Sequence, residues 1–194
     1  WILFGIFSAL GFLSKYLFIY ILVSLFLYFF INIKKYKKFI PNYFLSVLIT
    51  LLILTPHFIW LFENNFVTIF YGLNRSALTE VVFMNHLINP IVFFIKQIII
   101  LIPFFIMILI LLKNYKIKIN IKSRESLFLL FITVVPILLV IITSIFTGAK
   151  IRTMWMTPFY LFLGTLFIDV FKKNIDFKKI KKFYFIFIFF FILS

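Results

Sequence analysis

The sequence has no cysteine, so disulfides and thiolate metal centres are excluded and the redox compartment leaves no trace. Carboxylates are nearly as scarce, with five Asp and Glu against 20 Lys and Arg. No Walker A loop, GxGxxG, HExxH, CxxC or GxSxG pattern occurs, which removes the common nucleotide, zinc-protease, redox and serine-hydrolase signatures. The first apolar run lacks both a basic n-region and a cleavage site, so no signal peptide is predicted. No repeat of fixed period and no low-complexity linker divides the chain, and one domain over residues 1–194 is expected.

What is abundant is apolar surface. The chain is 65% hydrophobic, 23% aromatic and 13% charged, with a mean hydropathy of +1.21. A soluble domain of this length has no means of burying so much apolar surface, and several runs reach the length of a membrane span. The expected fold class is therefore all-α, a polytopic transmembrane helical bundle. Lys outnumbers Arg 17 to 3 and Phe occurs 32 times, a bias of AT-rich genes that makes phenylalanine partly a matter of codon supply. The chain starts at Trp1 and stops at Ser194, each inside an apolar run, and reads as a piece of a longer protein.

Breaks in the apolar runs predict about six to seven spans, near 1–13, 17–33, 39–62, 87–112, 126–146, 153–171 and 183–194. Ser14-Lys15-Tyr16 interrupts the first run, and Gly5 and Gly11 give the first helix a small-residue surface for close packing. Residues 63–86 form the longest polar-leaning interval. Fifteen of the 20 basic residues fall in three intervals, 34–38, 113–124 and 172–182. These are alternate loops. The positive-inside rule puts all three in the cytoplasm of a multi-pass plasma (inner) membrane protein, and puts 14–16, 63–86 and 147–152 outside. The same placement removes nucleic acid as a partner despite the net charge of +15, because the cations flank apolar helices instead of lining a groove.

The polar residues expected on the outer side are the candidates for chemistry. Lys15 lies between two apolar runs, where an ammonium snorkels, pairs or faces a cavity; a lipid phosphate at that depth would find a point positive charge. Lys150 and Arg152 share a short outer loop, and a guanidinium binds an oxyanion in a bidentate way. Solvated loop cations are the plainer account of both. His57 precedes Trp60 by three residues, so the two share a helix face. Pro56 frees a carbonyl one turn earlier, which is the ordinary partner for such a histidine. Trp60 and Trp155 fit an interfacial aromatic belt without any role in a site. Glu63 and Glu80 read as solvated loop charge, and Asp169 and Asp176 fall on the cytoplasmic side.

Three stretches together resemble one family. Gly11-Phe12-Leu13-Ser14-Lys15-Tyr16 is similar to the G-L-x-S/T-K-Y/G segment of GT-C class membrane glycosyltransferases, in the dolichyl-phosphate-mannose protein mannosyltransferase-like group. That group includes the aminoarabinose transferases that modify lipid A. Thr55-Pro56-His57-Phe58-Ile59-Trp60, followed by Asn64, Asn65 and Thr68, resembles its S-P-H-x-x-W-N-x-x-N-x-x-T segment, with a departure at Leu61 where Asn is common. Trp155, Pro158 and Tyr160 resemble its W-x-x-P-x-Y segment. The resemblance implies a bacterial cell-envelope enzyme that moves a sugar from a polyprenyl phosphate to a glycan, lipid or protein acceptor on the outer face. It implies Lys15, Lys150 and Arg152 on the donor phosphate. Tyr16, His57, Trp60, Glu63, Trp155 and Tyr160 would line the cavity. The acidic catalytic residue would lie upstream of Trp1. No cofactor is implied, and a divalent metal is left open. The alternative is a secondary transporter or flippase-type protein with Lys15, His57 and Arg152 along a substrate path.

Overall fold

The computed structural model describes residues 1–76, 82–113 and 123–193. Glu80 and most of the basic interval 113–124 lie outside the described residues. Among the described residues the chain is helical, with no strand beyond an isolated pairing of Leu112 with Ile175. The helices are α1 (Ile2–Ser14), α2 (Ile19–Ile31), α3 (Ile33–Tyr36), α4 (Ile40–Glu63), α5 (Val67–Arg75), α6 (Asn85–Leu111), α7 (Arg124–Thr147), α8 (Leu163–Phe171) and α9 (Ile180–Leu193). Short 3-10 segments at Tyr16–Phe18 and Thr153–Tyr160 connect some of them.

Fewer helices are long enough to cross a membrane than the apolar runs predict. Among the described residues three qualify by length and composition: Ile33–Glu63, Asn85–Leu111 and Arg124–Thr147. The pair Thr153–Tyr160 and Leu163–Phe171, bent by 50°, makes a fourth if counted as one. The expected six to seven spans counted apolar residues, whereas a span needs continuous helix. The 13 residues of α1 extend about 20 Å at 1.5 Å each, against a hydrocarbon core of about 30 Å. At Lys15 the backbone is extended (φ −161°, ψ 119°), and this ends α1. The predicted span 153–171 is broken at residues 161–162 into the 3-10 segment that contains Pro158 and α8, with a bend of 50° between them.

Contacts set the direction of each helix. Trp1 meets Phe39 (ring centroids 6.0 Å) and Phe12 meets Phe58 (6.4 Å), so α1 and α4 run parallel. Tyr20 donates to Thr143 Oγ1 at 3.0 Å and Tyr28 packs edge-on against Phe128 and Phe131, so α2 and α7 are antiparallel. His86 Nδ1 donates to the carbonyl of Ile145 (2.8 Å) and, further along α6, Phe93 packs with Val140, so α6 and α7 are antiparallel too; Asn89 Nδ2 donates to the carbonyl of Gly148 (2.7 Å) just past the end of α7. Ser126 donates to Asp169, which also pairs with Lys172 at 2.9 Å, joining the start of α7 to the end of α8. Backbone bonds from Lys113 to Asn174 and from Asp176 to Leu111, both 2.8 Å, clasp the end of α6 to the segment after α8. The bundle therefore has two ends. Residues 28–43, 112–113, 123–131 and 169–179 gather at a basic end. Residues 11–16, 57–76, 82–89 and 144–156 gather at the other, called here the Lys15 end.

Packing is closest between α1 and α4. Gly5, Ser8 and Ala9 are buried on one face of α1, and a side chain at Gly5 would sit 2.6 Å from the Ser46 carbonyl oxygen and 2.9 Å from Ile49 Cβ. Thr50 Oγ1 bridges the two helices, donating to the carbonyls of Gly5 (3.0 Å) and Ser46 (2.8 Å). Small residues allow this approach, and the interhelical hydrogen bond adds to it. Gly11 has a different use from the one expected: the Phe18 ring folds onto it, 2.6 Å from where a Cβ would be, and closes the tight connection to α2. Gly5→Leu is expected to push the helices apart and cost about 1–3 kcal/mol, read as a lowered thermal midpoint in detergent. Gly72→Ala, with open space around it, is expected to stabilise α5 by about 0.5–1 kcal/mol in the same measurement.

Candidate functional site

The turn after α4 fixes the floor of the site. Asn65 and Phe66 both take left-handed backbone (φ 50° and 54°). The Phe66 N–H bonds back to the Leu61 carbonyl (2.9 Å) and the Asn65 N–H to that of Phe62 (3.4 Å), the paired bonds of a Schellman motif. The Phe62 and Phe66 rings meet at 5.0 Å and close it. Asparagine tolerates this conformation; phenylalanine is held in it by the surrounding turn. The result is that α5 folds back over the end of α4 and presents Thr68 to the Tyr16 hydroxyl.

Tyr16 is the hub. Its hydroxyl shares hydrogen bonds with His57 Nε2 at 2.9 Å and Thr68 Oγ1 at 2.7 Å. The His57 ring stacks on Trp60 (6.0 Å, 14° between planes), as the three-residue spacing predicts. The histidine's partner is a tyrosine hydroxyl across the bundle, and not the carbonyl freed by Pro56 as expected. Two stretches some forty residues apart are thus joined through three polar side chains.

Lys15 makes the second junction. Its Nζ donates to the backbone carbonyl of Trp155 at 3.0 Å. In a 3-10 register that carbonyl faces the nitrogen three residues on, and position 158 is proline. The proline has no N–H, so the lysine supplies the donor. An ammonium has three protons to give, so two remain for another acceptor. Burial lowers the Lys15 pKa below the ordinary 10.5. Because the folded value lies below the unfolded one, the unfavourable contribution is full at lower pH and is relieved as pH rises toward 10.5.

Lys150 and Arg152 are exposed. The Lys150 backbone N–H donates to the Ser76 carbonyl (2.9 Å), docking this loop on the end of α5. Gly148, with φ 67°, caps α7 through its N–H to Ser144 (2.9 Å) and sets the direction of the loop. Lys15, Tyr16, His57, Trp60, Trp155, Lys150 and Arg152 therefore share one end of the bundle. Glu63 lies at the same end, exposed on the last turn of α4, and makes no ion pair among the described residues.

Tyr160 departs from expectation. Its hydroxyl donates to Gln97 in the middle of α6, and its ring packs on the core formed by Phe93, Val140, Met156 and Phe159. It belongs to the bundle interior and not to the Tyr16–His57 cluster, because the Thr153–Tyr160 segment runs inward from the Lys15 end to the core. The sequence reading also passed over Lys96 and Gln97. Gln97 is buried and its Nε2 has no partner among the described residues; Lys96 beside it is exposed and makes no ion pair among them. Their signal was available, since a cation and an amide inside an apolar run mark a functional or buried face. No group of three or more potential metal ligands occurs among the described residues.

An apolar slot of about 990 Å³ runs beside the cluster. It begins at Phe18, Thr157 and Pro158 near the Lys15 end and passes Ile21 and Leu25. It ends among Tyr28, Phe29, Tyr36 and Phe39 at the basic end.

Lys15→Met is expected to leave the Trp155 carbonyl without a donor, at a cost of about 1–3 kcal/mol. Segment 150–160 should loosen, and trypsin should cut at Lys150 and Arg152 several-fold faster than in the wild type; an unchanged cleavage rate would refute the bridging role. Tyr16→Phe removes two hydrogen bonds and should lower stability by about 1–2 kcal/mol without changing that cleavage. Comparison of the chain with protein-family models, with curated proteins and with solved structures gives no match.

Proposed function

We propose that this chain is part of a polytopic membrane glycosyltransferase of the GT-C type, which takes a sugar from a polyprenyl phosphate and passes it to a glycan, lipid or protein of the bacterial cell envelope. The observation that carries this reading is the meeting of residues 11–16, 55–68 and 150–156 at one end of the bundle, through Tyr16–His57–Thr68 and Lys15–Trp155, with Tyr160 of the third stretch deeper in the interior. These are the three stretches on which the resemblance rests. In this reading the Lys15 end faces outward and the basic end faces the cytoplasm.

The chemistry follows from charge. When the sugar leaves its carrier, negative charge builds on the phosphate oxygens, and preorganised cations lower that barrier. Arg152 offers a planar fork for two of those oxygens. Lys150 adds a second exposed cation, and the two free protons of Lys15 lie at the inner edge of the same face. Tyr16, His57 and Trp60 supply an aromatic wall for the sugar. None of these residues is assigned the acid–base step on the acceptor.

The broken pair Thr153–Tyr160 and Leu163–Phe171 favours a second reading, a transporter or flippase, since discontinuous helices commonly build substrate sites at mid-membrane. One assay separates the two. Membranes holding the full-length protein are supplied with a radiolabelled polyprenyl-phosphate sugar. Transfer of label to a new covalent product supports the enzyme, whereas movement of intact donor across the bilayer without transfer supports the transporter. Arg152→Ala, at an exposed position that leaves the fold alone, is expected to lower transfer by about ten- to a hundredfold. Unchanged transfer would remove Arg152 from the phosphate.

A further inference from the structure

The slot beside the cluster has two unlike mouths. At the Lys15 end it closes on Phe18 and Pro158, and Thr157 is the polar residue there. The Lys15 ammonium does not line the slot and already serves the Trp155 carbonyl. At the basic end three tyrosines, Tyr28, Tyr36 and Tyr43, line it, and the Tyr28 and Tyr36 hydroxyls lie 3.2 Å apart. The Lys38 ammonium sits 4.9 Å from the centroid of the Phe39 ring, which is itself part of the wall. Lys34, Lys35 and Lys37 flank Tyr36 and are exposed. Arg124 and Glu125 begin α7, whose Phe128 and Phe131 pack against Tyr28. Among the described residues cations therefore outnumber carboxylates around this mouth, and the two tyrosine hydroxyls lie at its wall.

We propose that this slot holds one anionic glycerophospholipid of the leaflet next to the basic end. An acyl chain would lie along α2 between Leu25 and Phe29, and the phosphate would be held by Lys35, Lys37 and Lys38 with the Tyr28 and Tyr36 hydroxyls. The volume of about 990 Å³ is at the upper end of ordinary ligand cavities. The apolar walls select a hydrocarbon chain, and basic residues beside a membrane surface attract anionic headgroups. The site lies at the opposite end of the bundle from the Tyr16–His57 cluster and does not depend on the glycosyltransferase reading. Its role would be to fill the space between the α1–α4 pair and the α2–α7 pair, which the side chains themselves leave open.

The test is native mass spectrometry of the full-length protein in detergent, titrated with dioleoyl phosphatidylglycerol and with dioleoyl phosphatidylcholine. One phosphatidylglycerol should be retained, at least tenfold more tightly than phosphatidylcholine. Replacing Lys35, Lys37 and Lys38 together by glutamine should bring the two lipids to equal affinity. Leu25→Trp, which fills the slot and leaves the cations in place, should weaken both lipids about tenfold. Equal affinity for the two lipids in the wild type would overturn the proposal. Retention undiminished by Leu25→Trp would do the same, since the lipid would then be held by surface charge alone. Displacement of phosphatidylglycerol by an equimolar polyprenyl phosphate would assign the slot to that lipid and also overturn it. Where Leu25→Trp does not fold, the glutamine variant decides, because its three positions are exposed and their replacement leaves the helices intact.

Discussion

The structure depends on one carbonyl. A bundle that spans a membrane has little water inside it to satisfy a free backbone oxygen, and each such group left alone costs several kcal/mol. Pro158 creates that situation by removing the donor that the Trp155 carbonyl would otherwise meet. Lys15 supplies the missing donor from a connection 140 residues earlier in the chain. The extended backbone at Lys15, the end of α1 and the broken helix after Arg152 are then parts of one arrangement. The lysine that separates two apolar runs is what allows a later run to bend.

The second constraint is how closely helices approach. Gly5, Ser8, Ala9 and Ser46 bring α1 and α4 together, with Thr50 hydrogen-bonded across the pair. The α2–α7 pair is joined differently, through Tyr20 to Thr143 and through Tyr28 to two phenylalanine rings. Between these pairs lies the slot, because small residues draw one pair tight while large aromatic residues hold the neighbouring helices apart. Phe18 and Pro158 close the Lys15 end of that gap, and Tyr16 ties α4 and α5 to the α1–α2 connection.

Much of the site was legible and some of it was not. The spacing of His57 and Trp60 put them on one helix face, since three residues on a helix bring side chains together, and their rings stack there. The Tyr16 partner of His57 could not be read from local spacing, because it lies across the bundle. Tyr160 looked like a cavity residue from its neighbours in sequence, yet at the inner end of its 3-10 segment it meets Gln97. Lys96 and Gln97 gave a signal by interrupting an apolar run, but that one is exposed and the other buried depends on what α7 and the Thr153–Tyr160 segment cover.

Sequence alone determined the class of this protein and the alternation of its ends. Composition forces an apolar helical bundle, and the clustering of cations in alternate connections gives the two ends before any helix is built, since charge placement is a property of the linear chain. Tertiary structure decided how many helices are long enough to cross a membrane and which carbonyls are left over. It also decided which side chains answer them. Those outcomes turn on continuity of helix and on contacts between residues far apart in sequence. A run of apolar residues looks the same in a list whether the helix through it is straight, short or broken; packing against Lys15 and in the core around Met156 holds the 3-10 segment that leads to the break after Tyr160.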